Sequence, residues 1–316
     1  FGIVETTGFP KDNFYLYRSQ WNQDAKTLNL VTAWDPDNMI NSGGKTPVWV
    51  YTNAARVELY RGNKLVGTAT RKALSETTTE MGHERYEYTT QSNDTSICTT
   101  SSGSGSSALY SVFNVAFEAG TISAKAFDEA GNDITSECVG KTSVSTPGEA
   151  SRLEISQDKE EILADGSSLV YITVDVTDED GNLDTTAVND ITFDLQGNGI
   201  IMGVDNGDQA TVDKYQQASV LTSPTSAHIK AYAGKALVIV RSTTRSGGFS
   251  VDISSEGLTG GTAEVATKLP EGQSENAITS YRLSKHCYVP AGSASLTLPA
   301  QASVVRADGK EETLNI

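Results

Sequence analysis

In the stretch HERYEYTT (83–90), Tyr86 and Tyr88 alternate with Arg85 and Glu87. Residues two apart on an extended strand share a face, so both phenol rings would point the same way. A pyranose stacks on an exposed aromatic ring because its axial C–H bonds meet the negative face of the π-system. Tyr86 and Tyr88 are therefore expected to be sugar-stacking residues. Trp49 and Tyr51 are also two apart, but for them packing into a core beside Val57 and Leu59 is expected. Two acidic stretches, DVTDEDGN (175–182) and GVDNGD (203–208), gather oxygen donors of the kind that bind calcium. The first lacks the D-x-D-x-D-G spacing and later Glu of a calcium loop, and a solvated hairpin turn is its favoured reading; in the second, Asp205, Asn206 and Asp208 could hold a cation, and an Asn-Gly turn explains it as well. His83, His228 and His286 are scattered. Cys98, Cys138 and Cys287 are far apart and form no C-x-x-C pair, so neither a metal site nor a dense disulfide framework is expected. Separate thiols are favoured over a Cys98–Cys138 bond. No local context suggests a Ser-His-Asp arrangement, and no glycine-rich loop joins a strand to a helix, so no cofactor is expected.

The elements that carry these residues read almost entirely as β-structure. Alternating or β-branched runs recur between turn signals: LNLVTAW (28–34), PVWVYT (47–52), ARVELY (55–60), KLVGTAT (64–70), ALYSVFNVAF (108–117), GTISAKAF (120–127), LVYITVDVT (169–177), DITFDLQG (190–197), KALVIVRST (235–243) and GFSVDIS (248–254). RGN, DEAGN and DEDGN supply the hairpin turns. Short strands at this spacing predict antiparallel sandwiches. One clear helix opens the chain: Pro10 suits its first position, Asp12 suits the positive end of its dipole, and Phe14, Tyr17 and Trp21 share a face. The serine-rich segment TSICTTSSGSGSS (95–107) is expected to be a long mobile loop. Pro/Gly linkers at 144–152 and 268–277 divide the chain into an opening piece (1–22), two β-sandwiches (23–146 and 147–270) and a tail (271–316).

Charge narrows the partners. The 316 residues carry 24 basic and 40 acidic side chains, a formal net charge of −16. Such a surface repels phosphate backbones and anionic lipid headgroups, so no nucleic acid is expected, and the surface suits neutral ligands. No apolar run approaches the roughly 20 residues of a membrane-spanning helix, so no membrane insertion is expected.

The opening stretch GIVETTGFPKDNFYLYRSQW (2–21) resembles the end of the catalytic barrel in glycoside hydrolase family 2, bacterial β-galactosidases in particular. There a run of the form G-(I/V)-V-(D/E)-x-x-G-F-P-K-D, then aromatics and a Trp, joins the last barrel strand to the last barrel helix. Gly8-Phe9-Pro10-Lys11-Asp12 and Trp21 all fit. The run VYTNAARVELYRGNKLVG (50–67), preceded by Trp34, is similar to the family's post-barrel sandwich. It departs in having Ala33 where His is usual and RGNK where NGK is usual. FNVAFEAGTISAKAFDEAG (113–131) resembles that domain's closing strands. Residues 162–258 resemble a further C-terminal sandwich, and 280–316 the first part of a bacterial immunoglobulin-like module.

The resemblance implies an all-β fold of tandem immunoglobulin-like antiparallel β-sandwiches, preceded by one remnant helix of a (β/α)8 barrel. It implies that the paired carboxylates of a retaining glycosidase, about 5 Å apart, are glutamates on earlier barrel strands that precede residue 1. No catalytic residue is then expected in this chain. Glu5 falls where the family carries a non-catalytic Asp or Glu, a structural carboxylate near the barrel mouth. Lys11 and Asp12 follow the last strand, on the side where barrel enzymes build their sites. All three are expected near substrate; Lys11 either reaches a substrate hydroxyl or pairs with a neighbouring carboxylate. The expected partners are the upstream catalytic barrel of the same parent chain and, through it, β-galactoside oligosaccharides. An extracellular or bacterial cell-surface location is expected. A binding reading competes with this one, in which the sandwiches form an independent carbohydrate-binding or adhesive array. The 22–27 connection, too short for independent motion, favours the first.

The purified 316-residue chain should not hydrolyse a chromogenic β-galactoside. Turnover that disappears in Glu5→Gln would place chemistry in this chain and overturn that expectation.

Overall fold

The computed structural model describes residues 2–37, 44–72, 86–100, 109–211, 225–283, 292 and 300–315. The chain divides into two compact units, Phe1–Glu149 with Asp178–Thr186, and Ala150–Thr177 with Ala187–Ile316.

The first unit opens with the helix α1 (Asp12–Trp21). It is followed by β1 (Leu28–Val31), β2 (Lys45–Thr52), β3 (Arg56–Arg61), β4 (Lys64–Arg71), β5 (Tyr88–Ser92), β6 (Cys98–Thr100), β7 (Ser111–Ala116), β8 (Thr121–Phe127) and β9 (Ser143–Ser145). The strands form two antiparallel sheets, β1-β2-β7-β6 and β5-β4-β3-β8-β9. Alternation along each strand sends every second side chain inward. Val48 and Val50 of β2 and Phe113 and Val115 of β7 meet Val57 and Leu59 of β3 and Ile122 and Ala124 of β8 in one apolar cluster. None of these eight is more than 2% exposed. Full burial of a large aliphatic or aromatic side chain contributes about 1.5–3 kcal/mol, so this layer holds the sheets together.

Two expectations are corrected in this unit. The inner face of β2 is Val48 and Val50, so Trp49 and Tyr51 lie on the outer face rather than beside Val57 and Leu59. The run V-W-V-Y is apolar on both faces, and period alone cannot say which one is inside. Tyr51 is nevertheless 8% exposed, because α1 lies against β1 and β2 and the Tyr110 ring meets it edge-on at 5.6 Å. The serine-rich segment is not loop from its start. Cys98–Thr100 pairs with Val115–Phe113 of β7, and Cys98 is fully buried. The rest of that segment, 101–107, falls outside the described residues.

The second unit contains β10 (Arg152–Gln157), β11 (Glu161–Leu163), β12 (Leu169–Thr177), β13 (Asp190–Gly197), β14 (Gly199–Asp205), β15 (Ser226–Lys230), β16 (Lys235–Ser242), β17 (Phe249–Ser255) and β18 (Leu258–Lys268). They follow the order β14-β16-β12-β10-β18-β17-β13-β15, with β11 also on β18. β18 is the seam. It pairs antiparallel with β17 along most of its length, but joins β10 through a single parallel pair, Arg152↔Thr259. The sheet can therefore fold over at that seam. Ile172 and Val174 of β12 and Val238 and Val240 of β16 share one core with Ile191 and Phe193 of β13 and Val251 and Ile253 of β17. This is again a β-sandwich, as the strand pattern predicts.

The same unit includes the antiparallel sheet β19 (Ile278–Leu283), β20 (Gln301–Arg306) and β21 (Glu311–Asn315), in that order. Ala302, Val304 and Ala307 are buried. The Ser246 N–H donates to the Ala307 carbonyl at 2.9 Å, tying this sheet to the β16–β17 connection.

Gly67 of β4 is a packing requirement. A Cβ there would lie 2.5 Å from Cδ1 and from Cε1 of Phe113, which is fully buried. Gly67→Ala should cost about 1–3 kcal/mol through overpacking, read as a lower urea midpoint. Adding Phe113→Leu should recover part of that loss.

Candidate functional site

Residues 3–11 fold back on themselves ahead of α1. The Lys11 N–H donates to the Ile3 carbonyl (3.0 Å), the Glu5 N–H to the Phe9 carbonyl (2.8 Å) and the Gly8 N–H to the Glu5 carbonyl (3.0 Å). Gly8 closes the turn at φ +89°, which glycine adopts without steric cost. The fold-back puts Glu5 and Lys11 side by side, with Lys11 Nζ 3.3 Å from Glu5 Oε1. Of the two fates open to Lys11, the structure displays the ion pair. Asp12 occupies the first turn of α1, where a carboxylate complements the helix dipole. Its Oδ1 lies 3.5 Å from Lys141 Nζ. Tyr15 and Tyr51 are both pushed up from the usual phenol range, mainly by burial and secondarily by the Asp12 charge. Asp12 thus faces the outer side of the first sandwich. Glu5 and Lys11 form an ion pair, which is not the pair of carboxylates that retaining glycoside hydrolysis uses.

The tyrosines do not form a surface platform. Tyr86 is 8% exposed and Tyr88 2%, and both belong to the core cluster of the first unit. The Tyr88 hydroxyl donates toward the carbonyls of Thr52 (3.0 Å) and Ala54 (2.9 Å). Burial pushes its phenol far up. The Arg71 guanidinium lies 4.5 Å over the Tyr86 ring. The expectation of an exposed stacking pair is therefore corrected: rings alternating with charges mark a half-buried strand whichever face carries the sugar. His83 and Arg85 fall outside the described residues.

Exposed aromatic rings in contact with each other lie on α1 instead. Tyr17 is 39% exposed and Trp21 68%, and their rings contact each other at 4.6 Å between centroids. The opposite side of the helix buries Ser19 and Gln20. Gln20 donates to the carbonyls of Tyr86 and Leu109 and accepts from the Tyr86 N–H. Gln20 and Asn53, which holds the segment after the helix, both lie within the family-like runs 2–21 and 50–67, but nothing in those runs announces their hydrogen-bond partners. Trp34, recognised only as part of a pattern, is fully buried at φ +47° with its ring 5.2 Å from Phe117.

Both acidic stretches are backbone turns. Asp178 accepts from the N–H groups of Gly148 (2.7 Å), Asn182 (2.8 Å) and Asp180 (3.0 Å). Burial works to raise its pKa, but these donors prevail and hold it below the usual carboxylate range. Asp205 likewise accepts from the N–H groups of Asn206 and Gly207. Among the described residues, no group of three or more His, Cys, Asp or Glu is placed to hold a metal ion. Cys98 and Cys138 are free thiols, each pushed up to about 11 by burial.

Tyr88→Phe, which strips the hydroxyl from two carbonyls, should cost about 1–3 kcal/mol of stability. The check is a urea midpoint, with lactose present and absent. The loss should be the same in both, because the ring is a core residue and not a sugar platform.

With this geometry established, similarity to known proteins is informative. Residues 153–264 match the family described as glycoside hydrolase family 2 C-terminal domain 5. Residues 43–135 match one described only as a domain of unknown function. The β-galactosidase BoGH2A of Bacteroides ovatus is 30% identical over 259 residues, which take in 82% of this chain and 24% of that protein. A putative β-glucuronidase of Formosa agariphila is 24% identical over 206 residues, 65% of this chain and 16% of that protein. The chain thus spans a quarter or less of the length of these curated relatives. Among solved structures, a β-glycosidase from Bacteroides vulgatus superposes with a TM-score of 0.61 at 22% identity, covering 84% of this chain and 28% of that one, which shows a shared fold.

Proposed function

This chain belongs to glycoside hydrolase family 2, to the C-terminal region of its members, and from that premise we propose that it is the non-catalytic C-terminal part of a retaining β-galactosidase-like hydrolase. In this proposal the first sandwich braces the catalytic barrel and shapes the edge of its cleft. The observation that carries it is the outward-facing Tyr17–Trp21 surface of α1. A helix that buries Ser19 and Gln20 while leaving Tyr17 and Trp21 in water departs from the pattern of a surface helix, which turns its large apolar side chains inward. The departure is resolved if a barrel covers the rings. In the same proposal the Glu5–Lys11 pair stiffens the turn that leads into this helix.

The parent then hydrolyses terminal β-galactosides. The Bacteroides ovatus relative, named a β-galactosidase, supports a galactoside, whereas the Formosa agariphila relative is named for glucuronides. The net charge of −16 favours a neutral sugar over an anionic uronide. The proposal includes an extracellular or cell-surface location, supported by the resemblance of residues 280–316 to a bacterial immunoglobulin-like module.

The test is a longer protein in which this chain follows its upstream barrel. It should turn over a chromogenic β-galactoside in preference to the β-glucuronide. The double variant Tyr17→Ala/Trp21→Ala should destabilise the longer protein by about 3–6 kcal/mol, the scale of burying two aromatic side chains. The 316-residue chain should lose much less. Equal losses in both would overturn the bracing role, and preference for the glucuronide would overturn the substrate.

A further inference from the structure

A helix of ten residues is shorter than the roughly 12–15 at which isolated helices become even marginally stable in water. α1 compensates only in part through apolar burial: Phe14, Tyr15 and Leu16 are half-buried, while Tyr17 and Trp21 are exposed. Its buried residues are Ser19 and Gln20. Ser19 bonds within the helix, to the Leu16 carbonyl at 2.8 Å. Gln20 reaches outward: Nε2 donates to the Tyr86 carbonyl (3.0 Å) and the Leu109 carbonyl (3.2 Å), while Oε1 accepts from the Tyr86 N–H (2.9 Å). Toward Tyr86 the side-chain amide behaves as a peptide group in a ladder does, giving one hydrogen bond and taking one. A second amide works from the sandwich side. Asn53 follows β2 and is 9% exposed. Its Oδ1 accepts from the Thr27 N–H (2.9 Å), and its Nδ2 donates to the carbonyls of Ala25 (2.9 Å) and Asn22 (3.4 Å). Asn22 is the residue that ends α1.

We infer that Gln20 and Asn53 form a two-amide clamp that keeps α1 folded and fixes it on the first sandwich in one orientation, with the Tyr17–Trp21 face turned out. Apolar contacts are non-directional and would let a short helix roll. Buried hydrogen bonds hold one geometry, because any other leaves donors and acceptors unpaired. The clamp goes beyond the bracing role and does not depend on it: α1 is ordered by the sandwich before anything meets its rings. Whatever covers those rings need not supply the ordering of the helix, the saving that preorganisation gives to binding.

The experiment is amide hydrogen exchange, read by mass spectrometry, on the whole 316-residue chain. Gln20→Leu and Asn53→Leu keep volume and remove the amides, and Gln20→Glu keeps only the acceptor for the Tyr86 N–H. In Gln20→Leu the α1 amides should exchange at least about tenfold faster while β2 and β7 keep their protection, since local openings report local stability. Asn53→Leu should do the same for residues 22–28. Gln20→Glu should fall between wild type and Gln20→Leu, and it serves as the readable variant if either Leu variant does not fold. Unchanged α1 exchange in Gln20→Leu, or in Gln20→Glu where that variant is the one read, would overturn the clamp. So would loss of α1 protection only together with that of β2 and β7.

Discussion

A short helix that turns Gln20 inward and the Tyr17 and Trp21 rings outward is the constraint on which the first unit depends. α1 can stand only because the sandwich meets it with carbonyls, an N–H and a side-chain amide, and that requirement fixes what the outer face of β1 and β2 must offer. Tyr51 and Tyr110 cover the same outer face near the start of the helix, where Asp12 pairs with Lys141. The helix is thus anchored at both ends by polar contacts. Its exposed rings are left for another surface, the arrangement from which the bracing role is proposed.

Beneath that outer layer the fold is ordinary β-sandwich physics. Inward-facing Val, Leu, Ile and Phe close the sheets, and Tyr88 is absorbed into the core because two carbonyls just after β2 take its hydroxyl. The second unit meets the same requirement with a sheet that folds over along β18. The acidic turn at Asp178, which belongs to the first unit, is filled by N–H donors.

Strands that pair strict alternation with flanking turns could be read from residues alone. LVYITVDVT coincides with β12 and DITFDLQG with β13, because one face is apolar and the other is not. Where that contrast fails, sequence is silent. Both faces of VWVY are apolar, so the inner face of β2 could not be chosen. β6 is three residues long in a serine-rich run, and only its pairing with β7 makes it a strand. LTGGTAEVATK carries too few apolar residues to announce the long β18. Tyr86 and Tyr88 were expected on a surface because alternation with charges fixes a shared face but not its direction. Glu5, Lys11 and Asp12 were found by motif, but whether Lys11 meets a sugar or a carboxylate depended on the turn at Gly8. Gln20 and Asn53 fell inside family-like runs, but their contacts could not be read there, since an amide that bonds backbone distant in sequence looks like any other polar residue.

The central claim is that the Tyr17–Trp21 face is covered in the longer protein. Hydroxyl-radical footprinting reads it directly, by comparing oxidation of Trp21 in the 316-residue chain with that in the chain joined to its upstream barrel. The bracing role predicts strong labelling of Trp21 in the isolated chain and, in the longer protein, labelling as low as that of the buried Trp34. Equal labelling of Trp21 in both would contradict it.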